Sequence, residues 1–376
     1  MTNCPDFSAL PLPPLNPPPA VTPRHVLHPD LLGERLAVIR DRFSGRRVRF
    51  AYSVKTNPDP RMIRSALSLG MDIEAITQAE ALLAQSEGAT PDRIVLNGPG
   101  KWWPRVDRVV CKALFANDVR EFSVIESLRS DGVDLEAQTV GVRLTTAAMQ
   151  SRFGIAAEDD HALSQAARHL KCLVGSVAFN WGVHVHHAQS ACGTDAWIER
   201  CADALAGVGV LSEAVGTRPS LIDFGGGWRA KDLQAAPAAI AQVVTTDSEL
   251  LADPNIEWEF EFGKALVEPL GVVYARVLIP PDANGSTIVD AGMGDMFEGM
   301  VSPHRTYLWR DEWVRVPVGG ATVYGRTCVE HDVLVRDLDT SEFRFGDVLA
   351  FGDAGAYDVA LSFDFTNGQV RSNWFL

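Results

Sequence analysis

A chain of 376 residues with 46% hydrophobic content is long enough for a large core and for two domains. A net charge of −14 argues against nucleic acid and anionic membrane surfaces as partners, and no run reaches the ~18 apolar residues of a membrane span. Six cysteines without paired spacing (Cys4, Cys111, Cys172, Cys192, Cys201 and Cys328) point to reduced cytosol, hence a cytoplasmic protein, and not to a disulfide framework.

Residues 1–24 are Pro-rich (Pro11, Pro13, Pro14, Pro17, Pro18, Pro19), lack a basic-then-apolar signal pattern, and read as an extended or disordered lead-in. An amphipathic stretch over 30–43 predicts a helix. Strand patterns follow at 47–54, 71–76, 93–97, 120–124, 139–144, 180–186, 219–223 and 256–261. Helical patterns lie between them, for example at 77–86, 104–113, 161–170, 196–206 and 236–251. An open doubly wound sheet shares this alternation, but eight regular β-α units over roughly 225 residues favour closure into a (β/α)8 barrel spanning 25–268. From residue 269 the texture changes to short strands at 272–279, 286–290, 313–318, 321–323, 331–335 and 347–351, separated by turn residues. The expected fold is therefore an α/β barrel followed by an all-β domain over 269–376.

Barrel chemistry gathers at the C-terminal strand ends. Strand 1 there delivers Lys55 within Ala51-Tyr52-Ser53-Val54-Lys55-Thr56-Asn57-Pro58. Alone, Lys55 reads as a snorkelling lysine at a strand exit; an aldehyde cofactor condensed on its amine is the functional alternative. The other strand ends carry Glu74, Asn97-Gly98-Pro99-Gly100, Arg143, His184-Val185-His186-His187, Asp223-Phe224-Gly225-Gly226-Gly227 and Glu261-Phe262-Gly263-Lys264. The triple glycine could be no more than a tight turn, yet barrel phosphate sites use the loops after strands 7 and 8. His184, His186 and His187 have no accompanying cysteine or carboxylate cluster, so no metal is expected. On an alternating strand His184 and His186 share a face.

Taken in order, these segments resemble the fold-type III pyridoxal-phosphate decarboxylases of diaminopimelate, ornithine and arginine, from about Thr22 to Phe365. Tyr52-Ser53-Val54-Lys55-Thr56-Asn57 looks like the family's Tyr-Ala-Val-Lys-Ala-Asn. Asn97–Lys101, Ser151-Arg152-Phe153-Gly154, His184–His186, Asp223–Gly227, Asp290-Ala291-Gly292-Met293, Cys328–Asp332 and Asp353–Tyr357 are similar to further family signatures. The resemblance implies a barrel plus β-domain and a homodimer with shared active sites. It makes Lys55 the Schiff-base lysine, Glu261 the partner of the pyridine nitrogen, and His186 the ring-stacking residue. Gly225, Gly226, Gly227 and Tyr357 would hold the phosphate, with Glu74, Arg143, Gly263 and Lys264 also in the cofactor site. Cys328 of the partner subunit would be the proton donor after CO2 leaves.

Departures matter. The family's Glu-Pro-Gly-Arg becomes Glu261-Phe262-Gly263-Lys264, which keeps the charge and loses the guanidinium fork. The family's Val-Gly-Ser becomes His187-Ala188-Gln189-Ser190, and a one-residue shift would make His187 the stacker and restore Ser190. Val329 stands where many relatives place an acid for a distal ammonium, and Glu298 stands near the position of an arginine for a distal carboxylate. With Asp332 these form the candidate substrate contacts. The expected activity is decarboxylation of an amino acid or amino-acid conjugate other than diaminopimelate, as in siderophore or antibiotic assembly. A racemase or epimerase on the same fold is the alternative, disfavoured because such enzymes typically set an arginine against the pyridine nitrogen. A non-catalytic cofactor-binding protein is a third reading.

Overall fold

The computed structural model describes residues 12–40, 43, 47–102, 110–133, 138–149, 151–174, 180–186, 194–228 and 253–366. Two units separate: Gly33–Ala265, and Leu266 onward together with the stretch up to Leu32. The second unit begins with strand β1 (Arg24–Leu27) and the first with most of helix α1 (Leu32–Arg40).

In the first unit the strands are β2 (Val48–Ser53), β3 (Asp72–Ala75), β4 (Ile94–Leu96), β5 (Ala113–Ala116), β6 (Thr139–Thr145), β7 (Ile155–Ala156), β8 (Asn180–Val185), β9 (Leu221–Asp223) and β10 (Glu257–Phe262). Eight of them close a parallel ring, β2-β3-β4-β5-β6-β8-β9-β10 and back to β2; β7 is a two-residue addition to β6. Helices α2 (Pro60–Ser68), α3 (Gln78–Ser86), α4 (Glu121–Ser130), α5 (Asp160–Val174) and α6 (Thr194–Val215) fall between the strands. Their starts are encoded locally. Asp59 caps α2 by accepting from Arg61 N at 2.8 Å, with Pro60 at the first helical position. Thr77 caps α3 by accepting from Glu80 N at 3.2 Å, and Glu80 reaches back to Ile76 N at 2.7 Å.

Strand β10 shows how a strand buried on both faces still carries a period of two. Trp258, Phe260 and Phe262 are buried among Phe50, Phe224 and Trp228. Glu257, Glu259 and Glu261 alternate with them. Near the strand starts Lys112 Nζ meets Asp72 at 2.7 Å, Glu257 at 2.7 Å and Glu259 at 3.1 Å, and Arg49 pairs with Asp72 as well. That ion cluster lies at the N-terminal end of the barrel strands. Burial alone would raise the Asp72 carboxyl; Arg49 and Lys112 hold it below its ordinary value.

The closed barrel bears out the expected fold, with local corrections. The fourth strand is Ala113–Ala116; residues 121–124 of the predicted strand lie in α4. Ala113-Leu-Phe-Ala is a short, fully buried apolar run, which periodicity alone cannot separate from the end of a helix. Residues 104–109 and 236–251, read as helical, lie outside the described residues.

The second unit holds β1 with β11 (Gly271–Ile279), β12 (Thr287–Val289), β13 (Thr306–Trp309), β14 (Trp313–Arg315), β15 (Val318–Tyr324), β16 (Val333–Leu338) and β17 (Val348–Gly352). The sheet runs β14-β13-β17-β11-β12-β15-β16, with β1 antiparallel to β11. Val273, Val277, Val289, Leu334, Phe343 and Phe351 form its core. The sequence reading places residues 1–24 in an extended or disordered lead-in and 25 onward in the barrel; the described part, 12–32, belongs to this unit instead. Trp313 Nε1 donates to Asn16 O at 2.8 Å, and Leu15 and Val26 pack against Val272, Tyr274 and Ala350. A Pro-rich segment has no ladder of its own, but its carbonyls and apolar side chains serve a neighbouring sheet well.

Candidate active site

Strand β2 ends at Ser53, and a single 3-10 turn, Val54–Thr56, swings Lys55 to the barrel mouth. Tyr52 Oη donates to Asn57 O at 2.6 Å and fixes that turn. Lys55 Nζ lies 2.9 Å from both Glu74 oxygens, and Ser53 Oγ donates to the same carboxylate. Glu74 is buried while the lysine side chain keeps 30% of its surface. Burial pushes the Glu74 carboxyl up, with Lys55 opposing and Glu261 reinforcing the rise.

Across the mouth, Asn97 Nδ2 donates to Glu261 Oε1, and His184 Nε2 stands 3.4 Å from the same oxygen. Burial and then the Arg143 cation push His184 well below its ordinary value, so His184 is neutral. Arg143 is itself lowered by burial, opposed by Glu261, Glu74 and Asp223. The His184 and His186 rings lie 6.2 Å apart and 23° from parallel, as a shared strand face requires. Gly226 N donates to His186 Nδ1 at 3.1 Å, and Gly225 N to Asp223 Oδ1 at 2.8 Å. His187 and Ser190 lie outside the described residues, so the stacker suggested by a one-residue shift is not tested; His186 is the histidine beside His184 on the cavity wall.

These groups enclose a cavity of about 430 Å³, lined among others by Lys55, Asn97, Arg143, Phe153, His186 and Glu261. Its residues suit an aldehyde cofactor with an anionic tail. Lys55, its ammonium held by Glu74, lines the cavity together with the Glu261 carboxyl. Arg143 Nε is buried with no hydrogen-bond partner among the described residues. Side chains are excluded where backbone must come close: a Cβ on Gly225 would sit 2.3 Å from Val185 O, and one on Gly263 would sit 2.1 Å from Thr56 Oγ1. Gly227 (φ +86°) continues that loop, and Lys264 opens a short helix, Lys264–Val267. Donor atoms of His184, His186 and Glu261 gather within 4.8 Å, but His186 Nδ1 and Glu261 Oε1 already accept hydrogen bonds, so the trio forms one wall of this cavity.

The remaining candidates belong to the second unit. Cys328 is exposed on a left-handed turn (φ +57°), and Val329 follows it half-buried. Asp332 accepts from Thr327 N at 2.8 Å, Thr327 Oγ1 at 2.6 Å and Met293 N at 2.6 Å. Both its oxygens are thus occupied within the β-domain, so it braces the Cys328 turn, a different task from the substrate contact expected of it. Glu298 is buried; Ser302 Oγ donates to it at 3.2 Å, and its own N–H goes to Asp358 Oδ1 at 2.8 Å. Tyr357 is half-buried on another left-handed residue (φ +68°).

Sequence reasoning missed the partners of these groups more than the groups themselves. Ser53 was available as an inward neighbour two residues before Lys55, and Asn97 as a strand-end polar residue. Neither pattern says which carboxylate the residue serves.

Comparison with known proteins agrees with this geometry. The profile described as pyridoxal-dependent decarboxylase, pyridoxal binding domain, matches residues 30–268. A diaminopimelate decarboxylase of Deinococcus radiodurans is 27% identical over 329 residues, covering 84% of this chain and 80% of that protein. Ornithine decarboxylase 2 of Drosophila melanogaster is 25% identical over 346 residues, covering 86% of this chain and 74% of that protein. The crystal structure of the arginine decarboxylase of Paramecium bursaria Chlorella virus has the same fold, with a TM-score of 0.75 at 19% identity, over 94% of this chain and 95% of that one. No helix among the described residues is long and apolar enough to cross a membrane. A profile match over more than half the chain, on a closed barrel with a lysine at its mouth, places this protein in the pyridoxal-dependent decarboxylases, carboxy-lyases that use pyridoxal phosphate.

Proposed function

We propose that the protein decarboxylates an amino acid, or an amino-acid conjugate, other than diaminopimelate. The observation that carries this reading is the pairing of Lys55 with the buried Glu74 at 2.9 Å, beside a cavity lined by Lys55, Glu261 and His186. Lys55 binds the cofactor through Nζ, and Glu74 holds that nitrogen in place beforehand. With the cofactor bound, Glu261 would stand at the ring nitrogen and supply negative charge there, His186 would lie against the ring, and Arg143 would screen the neighbouring carboxylates. The glycine loop Gly225–Gly227, Gly263 and Lys264 would hold the phosphate. Bound pyridoxal phosphate supplies the electron sink for the pair left when the Cα–carboxylate bond breaks. Cys328 Sγ then returns a proton to the substrate's α-carbon, and its exposure in a single chain suits action across the interface of a homodimer.

The substrate reading rests on residue chemistry. Val329 offers no charge to a distal ammonium, and a buried Glu298 repels a distal carboxylate. Specialised assembly of a conjugated product fits that pair. Measuring CO2 release over free and conjugated amino acids tests the reading: turnover is expected on a substrate other than diaminopimelate. Highest kcat/KM on diaminopimelate itself would overturn it, and solvent deuterium exchange at Cα without CO2 would favour racemisation.

A further inference from the structure

Three carboxyls and two cations meet in the upper half of the barrel. Glu74, Asp223 and Glu261 all lie within the electrostatic reach of Arg143, and Lys55 faces Glu74 and Glu261. With all three acids ionised these five groups carry one excess negative charge, and because the acids themselves are buried an uncompensated charge on them is costly. One proton balances it.

The geometry says where that proton sits. Asp223 closes β9, fully buried, opposite Glu259 in the strand register and within hydrogen-bond reach of the Glu261 carboxyl. Its Oδ1 accepts from Gly225 N at 2.8 Å. Its Oδ2 meets no N–H or hydroxyl donor among the described residues. As an anion it would lie between two other carboxylates with one oxygen bare; as an acid it has a ready acceptor in Glu261. Burial raises the Glu261 carboxyl as well, but Lys55, Arg143 and the Asn97 amide all oppose that rise, a set of partners that Asp223 lacks, so Glu261 is the better placed of the two for the negative charge. His184, the register neighbour of Asp223 on β8, is neutral and supplies no cation, and Lys112 is engaged with Asp72, Glu257 and Glu259. Burial, then Glu261 and Glu259, drive Asp223 well above the ordinary carboxylate range.

We propose that Asp223 is a proton-bearing positioning residue, whose carboxyl donates a hydrogen bond to Glu261 and holds that carboxylate ionised and oriented. The consequence for the cofactor, a firm negative charge opposite the ring nitrogen, rests on the role proposed above for Glu261; the proton on Asp223 does not. A carboxylic acid thus supports a carboxylate as the Asn97 amide does from the other side, and the pair acts as one unit with a single proton.

Infrared spectroscopy of the full-length holoenzyme, labelled with 13C at aspartate carboxyls, tests this directly. A protonated aspartate C=O stretch is expected at neutral pH, downshifted in 2H2O and absent in Asp223→Asn. No such band in the wild type, or a band that survives in Asp223→Asn, overturns the proposal. The labelled wild type answers the question even where the variant fails to fold. Cofactor affinity supplies the second arm. Asp223→Asn, whose amide still donates, is expected to keep Kd within about threefold, and Asp223→Leu to weaken it by about tenfold, the size of one charge-assisted hydrogen bond. Equal losses in both variants also overturn the proposal. A protein with the infrared band but no cofactor binding would instead sink the assigned site and leave the proton in place.

Discussion

Lys55 reaches the cavity because β2 stops at Ser53 and one 3-10 turn carries the chain outward, so the lysine leaves the strand before the strand's alternation could bury it. Replacing it separates its two tasks, binding the cofactor and neutralising Glu74. In Lys55→Ala the visible absorption of the bound cofactor should vanish and CO2 release should fall about a thousandfold or more, the scale of losing a covalent and proton-handling group; a coloured, active variant would remove Lys55 from its place. Thiol chemistry at this scale is already sorted by burial, which pushes Cys111 and Cys201 up to about 12. Cys172 and Cys328 are exposed, and alkylation of the native protein is expected to label them ahead of the two buried thiols. Lys55, Glu261 and the glycine loop were legible as residue types at strand ends. Asn97 as the donor to Glu261 was not, because 164 residues separate the two and only ring closure brings them together.

Elements decide where the glycines are indispensable. Gly225 combines φ +64° with a backbone carbonyl, Val185 O, 2.3 Å from where a Cβ would stand. That carbonyl belongs to a barrel strand and has little room to yield. Gly216, at φ +84°, has open space around it. Gly225→Ala should therefore lower unfolding free energy by roughly 2–4 kcal/mol and Gly216→Ala by roughly 1 kcal/mol, as read by denaturant titration. Equal costs would mean that the glycine loop is looser than its contacts imply. The same level explains the misread fourth strand: Ala113–Ala116 is buried on both faces and has no polar alternation to announce it, while α4 begins where Arg120 and Glu121 interrupt the apolar pattern.

At the scale of the molecule, protonation couples to folding in both units. Glu259, raised to about 8 by burial against the pull of Lys112, and Asp223, also raised, bind protons more tightly folded than unfolded. In the β-domain His304 is buried against Asp358 at 3.0 Å; burial alone would lower it, and Asp358 holds it above 6.5. For each group the folded state holds the proton over a pH range in which the unfolded chain has lost it, so stability falls as pH rises. The contribution of His304 is complete below 6.5 and lost through its raised folded value. The acids lose theirs from the ordinary carboxylate range upward, Glu259 through about 8. Unfolding free energy is expected to decline from pH 6 to 9, by at most about 1.4 kcal/mol per pH unit for each group, and the thermal midpoint of the protein to fall with it. Glu259→Gln should flatten the barrel's share and Asp358→Asn that of the β-domain; a midpoint that rises over this range would contradict all three assignments.

By itself, the sequence determined the alternation that makes a barrel and the change of texture that starts a β-domain. It also determined which residue types stand at the strand ends, because period, glycine and turn chemistry act over a few residues. The tertiary structure decided what no local pattern encodes. It enlisted residues 12–32 in the second unit, with Arg24–Leu27 in its sheet, and gave Asp332 to the Cys328 turn. It also set Asn97, His184 and Asp223 around Glu261. Those outcomes depend on distances that exist only once the ring is closed and water is excluded, and there a carboxyl's partners decide whether it keeps its proton.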